Sequence, residues 1–138
     1  MRKLMSIALA VGVAAMIAAC SGGSSGLTGK TWLLTALTEK VPAFQGVVPE
    51  ADQANYNIEF KTDSTFTAKA DCNTTSGTYT TTGSGGLAIV PGPTTLVACP
   101  EGSLSSQYIA ALGNAASYAV TSSQLTITLT DGGTLVYK

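Results

Sequence analysis

The sequence predicts an α+β domain: a mostly antiparallel, strongly curved or barrel-like sheet of short strands with one helix. Three observations carry this prediction. Apolar and polar residues alternate with period two in several short runs. Glycine-, serine- and aspartate-containing turns separate those runs at hairpin spacing. One segment alone switches to helical spacing, with Leu104, Tyr108, Ile109 and Leu112 on a single face. Composition agrees, because 45% hydrophobic residues and 20 threonines favour strands over disorder.

In chain order, Trp32 to Leu37 is an apolar run long enough for a strand. Tyr56, Ile58 and Phe60 alternate with Asn57, Glu59 and Lys61, a half-buried strand pattern. Thr62-Asp63-Ser64 supplies turn chemistry, and Phe66, Ala68 and Ala70 alternate beyond it, which makes a hairpin. Ser76 to Thr82 and Leu87 to Val90 follow, separated by Gly83-Ser84-Gly85-Gly86. The helix comes next, with Ser103 expected to cap its start and Gly113 its end. Tyr118 to Val120 returns from it as a short strand. Leu125, Ile127 and Leu129 then alternate with threonines, and Asp131-Gly132-Gly133 turns the chain into Thr134 to Tyr137. Thr38 to Ala54 shows no period and contains Pro42 and Pro49, so it reads as a long connection. Such loops are often functional. Phe44, Val47 and Val48 are its possible partner-contact residues, or else they fold back as a lid over the sheet.

The amino terminus sets the expected compartment. Arg2 and Lys3 precede Leu4 to Ala19, which is apolar except for Ser6 and ends in small residues. This is the layout of a secretory signal peptide, residues 1–19. As a helix the run would span about 24 Å, short of a hydrocarbon core of about 30 Å. Ile17-Ala18-Ala19-Cys20 resembles the lipobox of bacterial lipoproteins. That resemblance implies lipid attachment at Cys20 and a cell-envelope location. Ser21 after the cysteine favours the outer membrane, facing the periplasm, in a two-membrane bacterium. Residues 20–26 then form a lipidated Gly/Ser tether, which reaches roughly 13 Å and holds the domain of residues 27–138 close to its membrane.

Composition also excludes functions. There is no histidine, so imidazole-based triads, dyads and zinc sites are absent. Seven Lys and Arg in 138 residues make no basic patch for nucleic acid. No Walker loop, G-x-S-x-G or calcium loop occurs, and no metal or cofactor is expected. Glu39, Glu50, Asp52, Glu59, Asp63, Asp71, Glu101 and Asp131 are scattered, as solvated surface charges are, although a paired-carboxylate hydrolase site is the competing reading. Trp32 and the tyrosines fit core packing better than a sugar platform. Asn73-Thr74-Thr75 reads as turn chemistry.

Setting Cys20 aside leaves Cys72 and Cys99. An even pair in an exported domain reads as a disulfide, worth about 3.5 kcal/mol in the chain-entropy model. The alternatives are two buried free thiols or a catalytic thiol, and the latter would need a base other than histidine.

The residues around these cysteines carry a family resemblance. Cys72-Asn73 with Ser76-Gly77-Thr78-Tyr79 resembles the "GCN…G.Y" signature of the META domain, the HslJ-like family. Thr95-Leu96-Val97-Ala98-Cys99-Pro100 resembles its second signature, "T.MAC". Trp32-Leu33-Leu34 is similar to its opening strand, Tyr108 to Leu112 to its helix, and Gln124 to Thr126 with Leu135 to Tyr137 to its closing hairpin. The chain departs from the pattern where Asp71 replaces a glycine, Val97 a methionine, and Ser105 a frequent glutamate. The resemblance implies a secreted or membrane-anchored domain linked to stress and antibiotic tolerance, without established catalytic residues. The expected function is therefore a non-catalytic envelope lipoprotein that acts through protein or surface contacts. An inhibitor placing the 38–54 loop in a protease or lysozyme cleft is the alternative, and a glycosidase-like enzyme ranks last.

Overall fold

A computed structural model describes residues 26–138; the signal-peptide reading, Cys20 and most of the tether lie outside the described residues. Nine strands are described: β1 Thr31–Lys40, β2 Ala43–Val47, β3 Tyr56–Phe60, β4 Thr65–Ala70, β5 Asn73–Thr81, β6 Leu87–Thr94, β7 Ala115–Val120, β8 Leu125–Leu129 and β9 Thr134–Tyr137. A 3-10 helix, Glu50–Asn55, lies between β2 and β3, and α1, Ser105–Leu112, lies between β6 and β7. The strands form one strongly curled half-barrel sheet in the order β6-β5-β4-β3-β1-β9-β8-β7, with β2 added on β1. Every ladder is antiparallel. The two outer strands approach where Gly86 bridges Ser117 and the Tyr118 amide donates to Gly85 O at 2.9 Å.

The period-two runs fold as their patterns require. Ile58 pairs with Ala68 and Phe60 with Phe66, so both inward faces of the β3–β4 hairpin are apolar. Ile127 pairs with Leu135 in the β8–β9 hairpin in the same way. Trp32, Leu34, Leu37, Phe60, Phe66, Leu125, Ile127 and Tyr137 meet inside the curl as one core. Trp32 Nε1 donates to Leu27 O at 3.0 Å, which seals the entry of the chain, and Lys30 Nζ lies 4.1 Å from the indole centroid.

Helix α1 packs on β4 and β6 and buries Tyr108, Ala111 and Leu112. Its start departs from expectation. Leu104, not Ser103, occupies the cap position, and no side chain caps there. Ser103 Oγ instead accepts from the Ser105 amide at 3.2 Å. Gly113 ends the helix in a right-handed conformation, so its lack of a Cβ is not what stops it. Inside the curl, Tyr137 donates to the Tyr108 hydroxyl at 3.2 Å, and Tyr108 donates to Asn57 O at 3.1 Å. Burial pushes both phenols well above their ordinary pKa.

The long structureless connection expected over residues 38–54 is absent. β1 runs on to Lys40, turns at Val41-Pro42 and pairs back as β2, with Glu39 opposite Phe44 and Leu37 opposite Gly46. The 3-10 helix takes up the rest. Polar Thr38, Glu39 and Lys40 and the prolines at positions 42 and 49 hide the hairpin from a periodicity reading.

Candidate functional site

The register divides the half-barrel into two ends. One carries the β3–β4, β5–β6 and β7–β8 turns, and there Thr28 bridges Phe60 and Gly26 lies against Val120. Gly26, the first described residue, therefore lies at this end. The other end carries the β4–β5 turn, the 95–104 loop, the β8–β9 turn and the tip of the β1–β2 hairpin.

The Cys72-Asn73 part of the first signature and the whole of the second hold that second end together. Cys72 and Cys99 form a disulfide with their Cα atoms 5.5 Å apart, within ordinary geometry. Asp71, standing where glycine is usual, adopts φ +59°, a left-handed conformation that aspartate tolerates better than most residues. Beside it Asn73 is buried and uses all four of its bonding positions. Oδ1 accepts from the Val97 amide at 2.7 Å and Thr95 Oγ1 at 3.0 Å. Nδ2 donates to Val97 O and Ser105 Oγ, both at 3.0 Å, and lies 3.4 Å from Cys99 Sγ. Asn73 thus ties β5 to the loop and to the first residue of α1. Gly77 is needed because a Cβ there would run into the Val90 carbonyl oxygen of β6, and Tyr79 donates to Lys61 O at 2.7 Å. The turn reading of Asn73 missed this role, since its partners lie more than twenty residues away. The signal available in the sequence was the pairing of the two signatures.

The three expected contact residues do not share one surface. Strand alternation places Phe44, Gly46 and Val48 on the inner side of β2, against Leu104, and Val47 on the outer side. Val48 is 2% exposed, so it belongs to the core. Val47 is 72% exposed and Phe44 is half-buried. Asp131, in the β8–β9 turn, holds the hairpin tip: one carboxylate oxygen accepts from the Lys40 amide at 2.7 Å and the Val41 amide at 3.0 Å, the other from Gly133. These amides, Gly133 first, hold its pKa below the usual carboxylate range.

Two adjoining cavities open on this end. One, of about 290 Å³, lies beside β2 and is lined by Phe44, Val47, Asp52, Tyr56, Gly102 and Leu104 among others. The second, of about 220 Å³, lies beside Asn73 and shares Gly102. Leu96 is 91% exposed, Val97 59% and Val41 79%. A larger hollow of about 470 Å³ lies across β3, β4 and β5, lined by Asn57, Thr67, Lys69, Thr74 and Ser76. Among the described residues, no three Asp, Glu, Cys or His are placed to hold a metal ion.

Comparison with known proteins matches this architecture. A solved protein from Burkholderia xenovorans aligns with TM-score 0.64 at 21% identity, over 99% of this chain and 96% of that one. A DUF4847 family protein from Bacteroides vulgatus aligns with TM-score 0.60 at 20% identity, over 83% of this chain and 94% of that one. At such identity the likeness is one of fold. No curated protein matches the chain. The profile of the META domain matches residues 25–138, the span that holds the disulfide, the Asn73 hub and the whole sheet, and the chain belongs to the META-domain family.

Proposed function

We propose that this chain is a non-catalytic envelope lipoprotein, anchored through Cys20, whose META domain supports stress or antibiotic tolerance by protein contacts at the end opposite the tether. The observation that carries the reading is the placement of exposed apolar side chains. Val41, Val47, Leu96 and Val97 project from the hairpin and loop of the far end, whereas Gly26 lies at the near end. A tether of roughly 13 Å would turn the near end to the membrane and the far end outward. Four of the five large exposed hydrophobic residues among those described, all but Val90 of β6, lie on this hairpin and loop, which favours a partner surface there over plain solvation. The Asn73 amide and the Asp131 carboxylate, polar groups a catalytic reading would draw on, are already bonded to backbone and loop groups. The link to tolerance rests on family membership.

The test uses the full chain from cells. Partner capture by the wild type, lost in Leu96→Ser with Val97→Ser while the melting temperature holds, is the expected result. Capture and tolerance that ignore this double variant would refute the reading. Palmitate-analogue labelling should be abolished in Cys20→Ala, and equal labelling would show that Cys20 is not the lipid site. The exposed hairpin tip at Val41 favours a second reading, inhibition of a protease or lysozyme. Titration of the purified chain against such enzymes separates the two, since inhibition relieved by Val41→Ser supports only the inhibitor.

A further inference from the structure

We infer that β2 is a docking edge for one extended, cationic segment of a partner protein, which adds to it as a further antiparallel or parallel strand. This rests on the reading that the far end makes protein contacts, and it names the partner's chemistry. A sheet edge presents unpaired amides and carbonyls and invites another strand. Three strands here have a partner on one side only. β6 carries Pro91 and Pro93, which lack amide donors, and its start is joined to β7 through Gly86–Ser117 and Tyr118–Gly85. β2 pairs β1 alone and contains no proline.

Ala43, Gln45 and Val47 of β2 are exposed, and a cavity runs along residues 44–48. β2 and β3 both pair with β1, β3 opposite residues 31–33 and β2 opposite residues 36–40. β2 thus lies in line with β3 along the same side of β1, and its residues share one cavity with Tyr56, at the start of β3. Tyr56 in turn accepts the Leu104 amide at 3.0 Å, which sets Gly102–Leu104 as the far wall of the 290 Å³ cavity. Alternate side chains of an added strand would enter this cavity or pass over Val47.

The charge around the cavity selects the segment. Asp52 lines the cavity and Glu101 precedes Gly102 in its far wall, while the lysines of neighbouring strands are engaged elsewhere, Lys69 donating to Asn55 Oδ1 at 3.1 Å and Lys40 lying beside Gly132. Glu50 has Lys138 at 3.8 Å, the one ion pair among the described residues, so Asp52 and Glu101 have no basic partner within ion-pair distance. At physiological ionic strength such charges act over about 8 Å. A segment alternating apolar and basic residues satisfies both the edge and the wall.

The probe is an acetylated, amidated hexapeptide alternating Val and Lys, titrated by anisotropy onto the purified full chain in mild detergent. Controls are the Val/Glu peptide and the Val/Lys peptide methylated on alternate backbone nitrogens. The expected result is slowed hydrogen exchange over Ala43–Val47, with each control weaker by at least about tenfold. Val47→Lys should weaken binding by a similar factor with melting unchanged, and Asp52→Asn with Glu101→Gln should flatten its salt dependence. Equal binding of the methylated peptide, protection on β6 or β7, or no binding of any peptide would overturn the inference. So would a concentration-dependent dimer of the chain that blocks the peptide and is dissolved by Val47→Lys, because β2 would then serve self-pairing. If the peptides fail while Leu96→Ser with Val97→Ser still abolishes partner capture, only the β2 edge is refuted. If the peptide docks on β2 while capture and tolerance ignore both variants, the contact reading falls and the docking edge stands.

Discussion

Two segments wrap the far end of the half-barrel, and they are held by opposite means. The 95–104 loop has no ladder of its own over most of its length, so side chains and a covalent bond satisfy and fix it. Asn73 binds it at Thr95 and Val97, Cys72 at Cys99, and Tyr56 at Leu104. The β1–β2 hairpin is held by backbone pairing on one edge, with Asp131 as its one side-chain tie at the tip. An irregular segment must find partners elsewhere for its buried polar groups. A hairpin supplies its own on one side and leaves the other side open. The loop is thus the fixed wall of the groove, and the hairpin is its open edge.

The largest expected effect falls on the loop. Cys72→Ser with Cys99→Ser should lower stability by about 2–5 kcal/mol. Hydrogen exchange should quicken over residues 95–104 and the start of α1 and stay unchanged in β2. Equal quickening in β2 would mean that the two segments form one cooperative unit.

Asn73→Ala should come next. It leaves Ser105 Oγ, Thr95 Oγ1 and the Val97 amide short of a partner, at a cost of about 1–3 kcal/mol by chemical denaturation. Combined with the disulfide variant, the losses should be non-additive, because both ties hold the same loop. Simple additivity would place Asn73 outside the loop's support.

Asp131→Asn acts on the hairpin and should be milder. Exchange at the Lys40 and Val41 amides should quicken while residues 95–104 keep their protection. The folded carboxylate titrates below its unfolded value of about 3.9. Its contribution is therefore present above that pH and is lost as pH falls through the folded pKa. The variant should show a shallower loss of stability below about pH 4 than the wild type. An unchanged acid limb would show that the tie carries no weight.

The smallest effect belongs to the open edge. Val47→Ser should change stability by no more than about 0.5 kcal/mol, as exposed positions do. A larger loss would show that Val47 packs against the fold and that the edge is closed.

Some of this was written in local residues. The alternation of Tyr56, Ile58 and Phe60 and of Leu125, Ile127 and Leu129 fixed which side of each strand turns inward, because a pleated strand has a period of two whatever surrounds it. The i, i+4 spacing of Leu104, Tyr108 and Leu112 located the helix, although Leu104 itself stands just outside it. The even pair Cys72 and Cys99 pointed to the disulfide that the structure contains. The remainder was settled only by tertiary structure. β2 exists because the polar end of β1 provides a ladder for it, not because Ala43–Val47 carries a pattern. Val48 and Val47 are neighbours in sequence, and only the pleat against Leu104 sends one into the core and the other to solvent. Asn73 looked like a turn residue because its four bonds reach residues that the sheet and the disulfide bring beside it. Local periodicity encodes which face is buried. Which edge stays open, and which amide becomes a hub, depends on contacts between residues far apart in the chain.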